Sequence, residues 1–285
     1  MHLDPSPNHG AQALQPDLEL HGGGVIAHRR RCLVTGQSAY PLFHRAENST
    51  CWAGSHPPPI SSWSPDWEKP IYVKIGATRP YYDVALAVKS GADVVVLDGM
   101  QGGTAATQDV FIEHVGIPIL AAIRPAVQAL QDLGMHRKVQ LIVSGGIRNG
   151  ADVAKALALG ADAVAIGTAA LVALGDNDPH LEAEYNALGT TAGAYDDWHE
   201  GRDPAGITTQ DPVLAARLDP VAAGRRLANY LAVLTLEAQT IARACGKSHV
   251  HNLDPEDLVA LTIEAAAMAG VPLAGTQWIP GRSGV

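Results

Sequence analysis

Two glycine pairs, each following a run of β-branched residues, are where this sequence can do chemistry. The second is the simpler to read. In LIVSGGIRNGADVAKALALGADAVAIGTAAL (141–171) an apolar run ends in Ser144, Gly145 and Gly146, and the next apolar run ends in Gly167 and Thr168. A Gly-Gly turn followed by a Gly-Thr turn exposes backbone N–H groups with no side chain in the way. The helix that follows each turn adds the positive end of its dipole, and together these suit a phosphate group. The plainer reading is that the glycines only permit tight turns. The first pair lies in VVVLDGMQGGTAATQDV (94–110), where Asp98, Gln101, Gly102, Gly103 and Thr104 follow the apolar run. Here short polar donors share a loop built for close backbone approach. Lys74, near the end of YVKIG, is a cation in an otherwise apolar run. It reads either as a lysine snorkelling outward or as a charge held for a bound anion. Asp98 reads equally as a base or as a loop cap.

The elements that must position these residues follow a regular pattern. Apolar runs occur at PIYVKIG (70–76), ADVVVLDG (92–99), IPILAAI (117–123), VQLIVSGG (139–146) and ADAVAIGT (161–168). Between them lie the helical stretches RPYYDVALAVKSG, RPAVQALQDLG and NGADVAKALALG, each ending in a glycine, as helix C-termini often do. Apolar strands alternating with helices predict a parallel α/β fold. The even rhythm favours a (β/α)8 barrel of the TIM type over an open sheet, and barrels place function, including phosphate sites after strands 7 and 8, where strands end. If the last two runs are the seventh and eighth strands, the five runs are strands 4–8. Residues 1–66 are dense in Pro, His, Ser and Gly and lack the pattern, so they are expected to be irregular, with residues 67–285 forming a partial barrel. After residue 171 a polar stretch (176–212) precedes two expected helices, 222–246 and 254–270, the second with Asp254 as its N-cap. These form a C-terminal helical extension.

Composition excludes several classes. The net charge of −9 argues against a nucleic-acid or membrane-surface partner. No apolar stretch reaches the roughly 18 residues needed to span a bilayer. The three cysteines, Cys32, Cys51 and Cys245, form no C-x-x-C pair, so no metal site is expected and a cytoplasmic location is.

At the residues quoted above the sequence resembles the FMN-binding barrel of the glutamate synthase large subunit. YVKIGATRPYYDVALAVKSGADVVVLDGMQGGTAATQ, VSGGIRNGADVAKALALGADAVAIGTAALVALG and GITTQDP carry the resemblance, over about residues 67–280. Within that family, LGTTAGAYDDWHEGRDPAGITTQDP and TIARACGKSHVHNL look closest to the separate subunit of N-methylglutamate synthase. The resemblance implies FMN as cofactor. It implies 2-oxoglutarate and ammonia as substrates, with ammonia supplied by an amidotransferase-like subunit, or glutamate and methylamine in the second branch. It also implies that Gly145, Gly146, Gly167 and Thr168, beside Ser144, hold the FMN phosphate. Lys74 and Gln101 would then serve the chemistry, with Lys74 near the flavin and the substrate carboxylate, and Gly102, Gly103 and Thr104 would border the ring. Family members carry a three-cysteine iron–sulfur motif before GxxTQDP. Residues 189–206 contain no cysteine, so no iron–sulfur cluster is expected. Flavin hydroxy-acid oxidases would need a His/Arg pair in these loops, and the IMP dehydrogenase type a loop cysteine; neither is found. An isopentenyl isomerase of similar SGGI pattern leaves GITTQDP unexplained. A non-catalytic, partner-binding remnant is the alternative of another class.

Overall fold

The computed structural model describes residues 70–102, 114–189 and 200–282. The expectation for residues 1–66 lies outside the described residues. Four strands, β1 (Tyr72–Gly76), β2 (Val94–Asp98), β3 (Gln140–Ser144) and β4 (Ala163–Ala165), form one sheet in the order β1-β2-β3-β4. Every pairing is parallel. An open doubly wound sheet reverses its strand order at a switch point. This order runs on without reversal, as in an arc of a (β/α)8 barrel.

Helices α1 (Pro80–Lys89), α2 (Ile119–Asp132) and α3 (Gly150–Ala158) connect successive strands. The face of the sheet they cover is formed by Val73, Ile75, Val95, Leu97, Leu141 and Val143, all buried. The other face carries Tyr72, Lys74, Val96, Ile142, Ser144 and Ala165, which are exposed or half-buried. Period-2 alternation thus separates a helix-packed face from one that is partly open.

One expected strand is corrected. Residues 117–123 do not form a strand; helix α2 begins at Ile119. Ile119, Ala122, Ile123, Ala126, Val127 and Leu130 are buried along it, which is a helical stripe. The Arg124-Pro125 pair reads as a helix start in the sequence, but Pro125 lies inside a helix already under way. Counted back from an eighth strand at β4, the strands are therefore the fifth to eighth.

The N-terminal edge of the sheet is held by a repeated Gly-Ala-Asp. Gly91 and Gly160 take positive φ, 96° and 110°, and turn the chain out of the preceding helix. Asp93 then accepts a hydrogen bond from Ile71 N, and Asp162 one from Leu141 N, both at 2.8 Å. Each carboxylate satisfies an N–H where a neighbouring strand begins.

Beyond β4 come α4 (Thr168–Leu174), α5 (Glu182–Ala187), α6 (Pro212–Ala215), the long α7 (Pro220–Ala244) and α8 (Ile263–Ala269). Helix α7 matches the expected helix, with Asp219 accepting from Val221 N and Ala222 N as its N-cap. The single helix expected at 254–270 is corrected to two pieces. Asp254 caps a short 3-10 turn, Pro255–Asp257, in a reciprocal capping box with Asp257. Thr262 caps the separate α8. Ala260 pairs instead with the chain at Pro272 and Ala274, through two backbone hydrogen bonds of 2.8 Å, and this pairing breaks the helix.

Candidate active site

Parallel register brings the strand ends into one row. Gly76 lies opposite Asp98, Asp98 opposite Ser144, and Ser144 opposite Ala165. This is the C-terminal edge, where the expected site residues sit. Lys74 lies one pleat below, opposite Val96. Its side chain crosses diagonally to the neighbouring strand, and Nζ reaches Asp98 Oδ2 at 2.7 Å. The lysine side chain is 37% exposed and that of Asp98 13%. Asp98 Oδ1 is buried and has no hydrogen-bond partner among the described residues.

The two glycine loops meet directly above this pair. Gly99 N donates to Ser144 O at 2.8 Å. Gly145 (φ 117°) and Gly146 (φ 72°) take left-handed conformations that disfavour any residue with a Cβ. A Cβ on Gly145 would stand 3.2 Å from the Gly99 backbone, and one on Gly99 only 2.7 Å from the Gln101 Oε1 and Ile119 Cβ atoms. The glycines therefore let two loops touch backbone to backbone. Gln101 closes the contact. Its Oε1 accepts from Ile119 N at 3.1 Å, so the expected polar donor of the site is engaged, through its oxygen, at the start of α2. Gly102 ends the 3-10 turn Met100–Gly102. Gly103 and Thr104 lie outside the described residues.

Gly167 and Thr168, both exposed, open helix α4. Gly167 is its N-cap, without a side-chain capping hydrogen bond, and the space a Cβ would take there is free. The other helix start is different. Asn149 Oδ1 accepts from Asp152 N at 2.9 Å, and Glu237 Oε2 accepts from Gly150 N at 2.8 Å. The start of α3 is thus already supplied with acceptors from the protein. Of the two turns expected to hold a phosphate, Gly146, Gly167 and Thr168 are exposed, and Gly145 is buried against Gly99.

Two site-shaping residues were not visible in the sequence. Tyr230 Oη donates to Arg148 O at 2.7 Å, and Glu237 holds Gly150. Both come from α7 and clamp the loop after β3 on its outer side. Asp98, left between base and cap, is the partner of Lys74. The two residues lie near the ends of adjacent strands, but their contact follows from the register, which sets Asp98 one pleat above Lys74.

The segment before GITTQDP is built around carboxylates. Asp203 is fully buried. Its Oδ1 accepts from Ala205 N, and its Oδ2 from Ile207 N and Thr208 N, at 2.9–3.0 Å. Tyr185, also fully buried, lies with its hydroxyl between Asp203 and the buried Asp176, and accepts from Asn177 N at 2.9 Å. Burial, with the two carboxylates nearby, pushes the Tyr185 hydroxyl well above the usual tyrosine range. Asp203 is thus spent on the backbone. No cysteine lies between Cys51 and Cys245. An iron–sulfur cluster, which needs thiolate ligands, does not fit this segment. Among the described residues, no group of three His, Cys, Asp or Glu side chains could hold a metal ion, and no helix is long and apolar enough to cross a membrane.

Known proteins match this chain along the same residues. The conserved region of glutamate synthase matches residues 64–180 and 190–248. A glutamate synthase large subunit-like protein of Rhizobium meliloti is 86% identical over 217 residues, covering 76% of this chain and 49% of that protein. An archaeal glutamate synthase [NADPH] of Methanocaldococcus jannaschii is 43% identical over 188 residues, covering 66% of this chain and 34% of that one. An archaeal-type glutamate synthase [NADPH] of Thermotoga neapolitana is 42% identical over 217 residues, covering 74% and 40%. The chain thus spans between a third and a half of the length of these relatives. With its glycine loops, Lys74 and the GITTQDP segment all inside the matched regions, the chain belongs to the glutamate synthase family.

Proposed function

We propose that this chain is the FMN-binding part of a glutamate synthase-type oxidoreductase, acting in the cytoplasm. Its reaction would convert 2-oxoglutarate and ammonia, through 2-iminoglutarate and loss of water, into glutamate. The observation that carries the reading is the meeting of the two glycine loops above the Lys74–Asp98 pair on the strand-end row. Reduced FMN, when bound, would supply the hydride for the imine, its two electrons coming from an external electron donor.

The chain's own residues have definable tasks in this reading. The backbone N–H groups of Gly145, Gly146, Gly167 and Thr168 hold the phosphate, with Ser144 at the base of the turn. Lys74 holds an anionic carboxylate or the electron-rich edge of the ring. By the resemblance Gly102, Gly103 and Thr104 would border the ring and the substrate, and Gln101 fixes the Met100–Gly102 turn to α2. No iron–sulfur cluster belongs to this reading, because residues 189–206 hold no cysteine to supply thiolate ligands. Ammonia would be delivered by an amidotransferase-like subunit, with other synthase subunits completing the enzyme.

A second reading shares the site but changes the amine. The segments LGTTAGAYDDWHEGRDPAGITTQDP and TIARACGKSHVHNL favour a subunit of N-methylglutamate synthase, which joins methylamine to glutamate with release of ammonia.

The test has two stages. Adding FMN to the purified full chain should give a protein-bound flavin spectrum. Protein that takes up none sinks both readings and favours the non-catalytic, partner-binding alternative. With partner subunits present, glutamate formation from ammonia and 2-oxoglutarate supports the first reading. N-methylglutamate formation from methylamine and glutamate instead replaces it with the second.

A further inference from the structure

We propose that Asp98 is the counter-ion of Lys74 and sets how strongly this site favours an anion, above all the reduced form of the flavin. The inference rests on the flavin reading given above and deepens it. The pair has three features that belong together. Lys74 leaves its own position on the strand to reach a carboxylate one pleat higher on the next strand, at 2.7 Å. Its side chain stays 37% exposed, so the lysine is not sealed off by the pair. Asp98 Oδ1 is buried without a hydrogen-bond partner among the described residues, so the carboxylate is only half satisfied there.

A half-satisfied ion pair whose carboxylate is mostly buried is a poor stabilising device, because desolvation of that charge offsets the attraction. A carboxylate kept for stability is more often surrounded by donors, as Asp203 is. The effect of Asp98 is therefore electrostatic. Beside it, Lys74 presents an incoming anion with a nearly neutral pair instead of a free cation. In a partly buried site a unit charge a few ångströms away changes such preferences strongly. Reduced FMN carries one more negative charge than oxidised FMN when its ring nitrogen is deprotonated. Lys74 favours that form, and Asp98 restrains the preference, keeping the bound cofactor a stronger reductant.

Asp98→Asn separates charge from position. The amide oxygen can still accept from Lys74, while the negative charge is gone. In the full chain loaded with FMN, Asp98→Asn should favour reduced over oxidised cofactor about tenfold more than the wild type. That is a rise in midpoint potential of about 30 mV for a two-electron couple. Asp98→Glu, which keeps the charge, should stay near the wild type, and the urea midpoint of Asp98→Asn should not fall. Two results overturn the proposal while leaving flavin binding intact: an unchanged potential in Asp98→Asn, or equal shifts in Asp98→Asn and Asp98→Glu. Loss of folding in Asp98→Asn also overturns it, because the pair is then structural. A wild-type chain that binds no FMN overturns the function reading first, and this proposal with it.

Discussion

Glu237 on α7 accepts a hydrogen bond from Gly150 N at 2.8 Å, across 87 positions of sequence. The contact joins the longest helix to the first residue of α3, directly behind the Gly145–Gly146 turn. Its closeness depends on Gly150 lacking a side chain. A Cβ there would stand 2.3 Å from Glu237 Cβ, 2.4 Å from Leu234 O and 2.6 Å from Ala238 N. Two of those atoms are helix backbone and cannot swing away. Gly150→Ala should therefore push α7 off α3 and lower stability by about 1–3 kcal/mol, as overpacking does, despite alanine's better helix propensity. Urea unfolding checks this; an unchanged or higher midpoint would show that α7 does not hold α3 in this way.

Gly145 tests the loop contact rather than the helix contact. Its φ of 117° and the 3.2 Å approach of its would-be Cβ to Gly99 leave no strain-free place for alanine. Gly145→Ala should cost about 1–3 kcal/mol in local strain and separate the two loops. FMN affinity, read by quenching of flavin fluorescence, should fall at least tenfold, while far-ultraviolet circular dichroism stays native. Thr168→Ala keeps its backbone N–H and should lose much less.

These features were unequally legible in the sequence. Runs such as VVVLD and QLIVS are β-branched and bounded by turn residues, so β2 and β3 could be placed from local pattern alone. The Gly145–Gly146 pair was legible for the same reason, because positive φ favours glycine wherever the turn sits. IPILAAI was not, since a short apolar run suits a buried strand or a buried helix equally. The helical spacing from Ile119 to Leu130 becomes decisive only when both sides of Pro125 are read together. Lys74 stood out as a lone cation, but its bond to Asp98 depends on strand register, which no single strand encodes. Tyr230 and Glu237 act on a loop more than 80 positions away, and nothing local marks them. Asp254 was a sound cap, yet the helix behind it gives way to the pairing of Ala260 with residues 272–274, a tertiary effect overriding propensity.

Asp203 supports a prediction about the GITTQDP segment. Its carboxylate accepts from three backbone N–H groups, those of Ala205, Ile207 and Thr208. Asp203→Ala strands all three, and an unpaired buried donor costs about 1–3 kcal/mol. Amide exchange at Ile207 and Thr208 should accelerate far more than exchange in α2. Asp203→Asn retains one oxygen, so it should protect either Ala205 or the Ile207–Thr208 pair, not both. Equal protection in all variants would remove Asp203 as the organiser of this segment.

Tyr185 gives the pH dependence. Burial first, and then Asp176 and Asp203, raise its hydroxyl above the ordinary value of 10.0. The sign follows from linkage. A group whose folded value is raised holds its proton longer in the folded chain than in the unfolded chain. Its stabilising contribution is complete below about pH 10 and is lost as pH rises toward the folded value, because only the unfolded chain releases the proton. The wild type should therefore lose stability with rising pH above 10.0. Tyr185→Phe removes the titrating group. It should be less stable at neutral pH, because the buried hydroxyl's hydrogen bonds with Asn177 N, Asp176 and Asp203 are lost, and yet show a shallower loss above pH 10.0. Urea midpoints measured between pH 8 and pH 11 separate the two effects, and parallel curves for both proteins would show that Tyr185 ionises as freely in the folded chain as in the unfolded one.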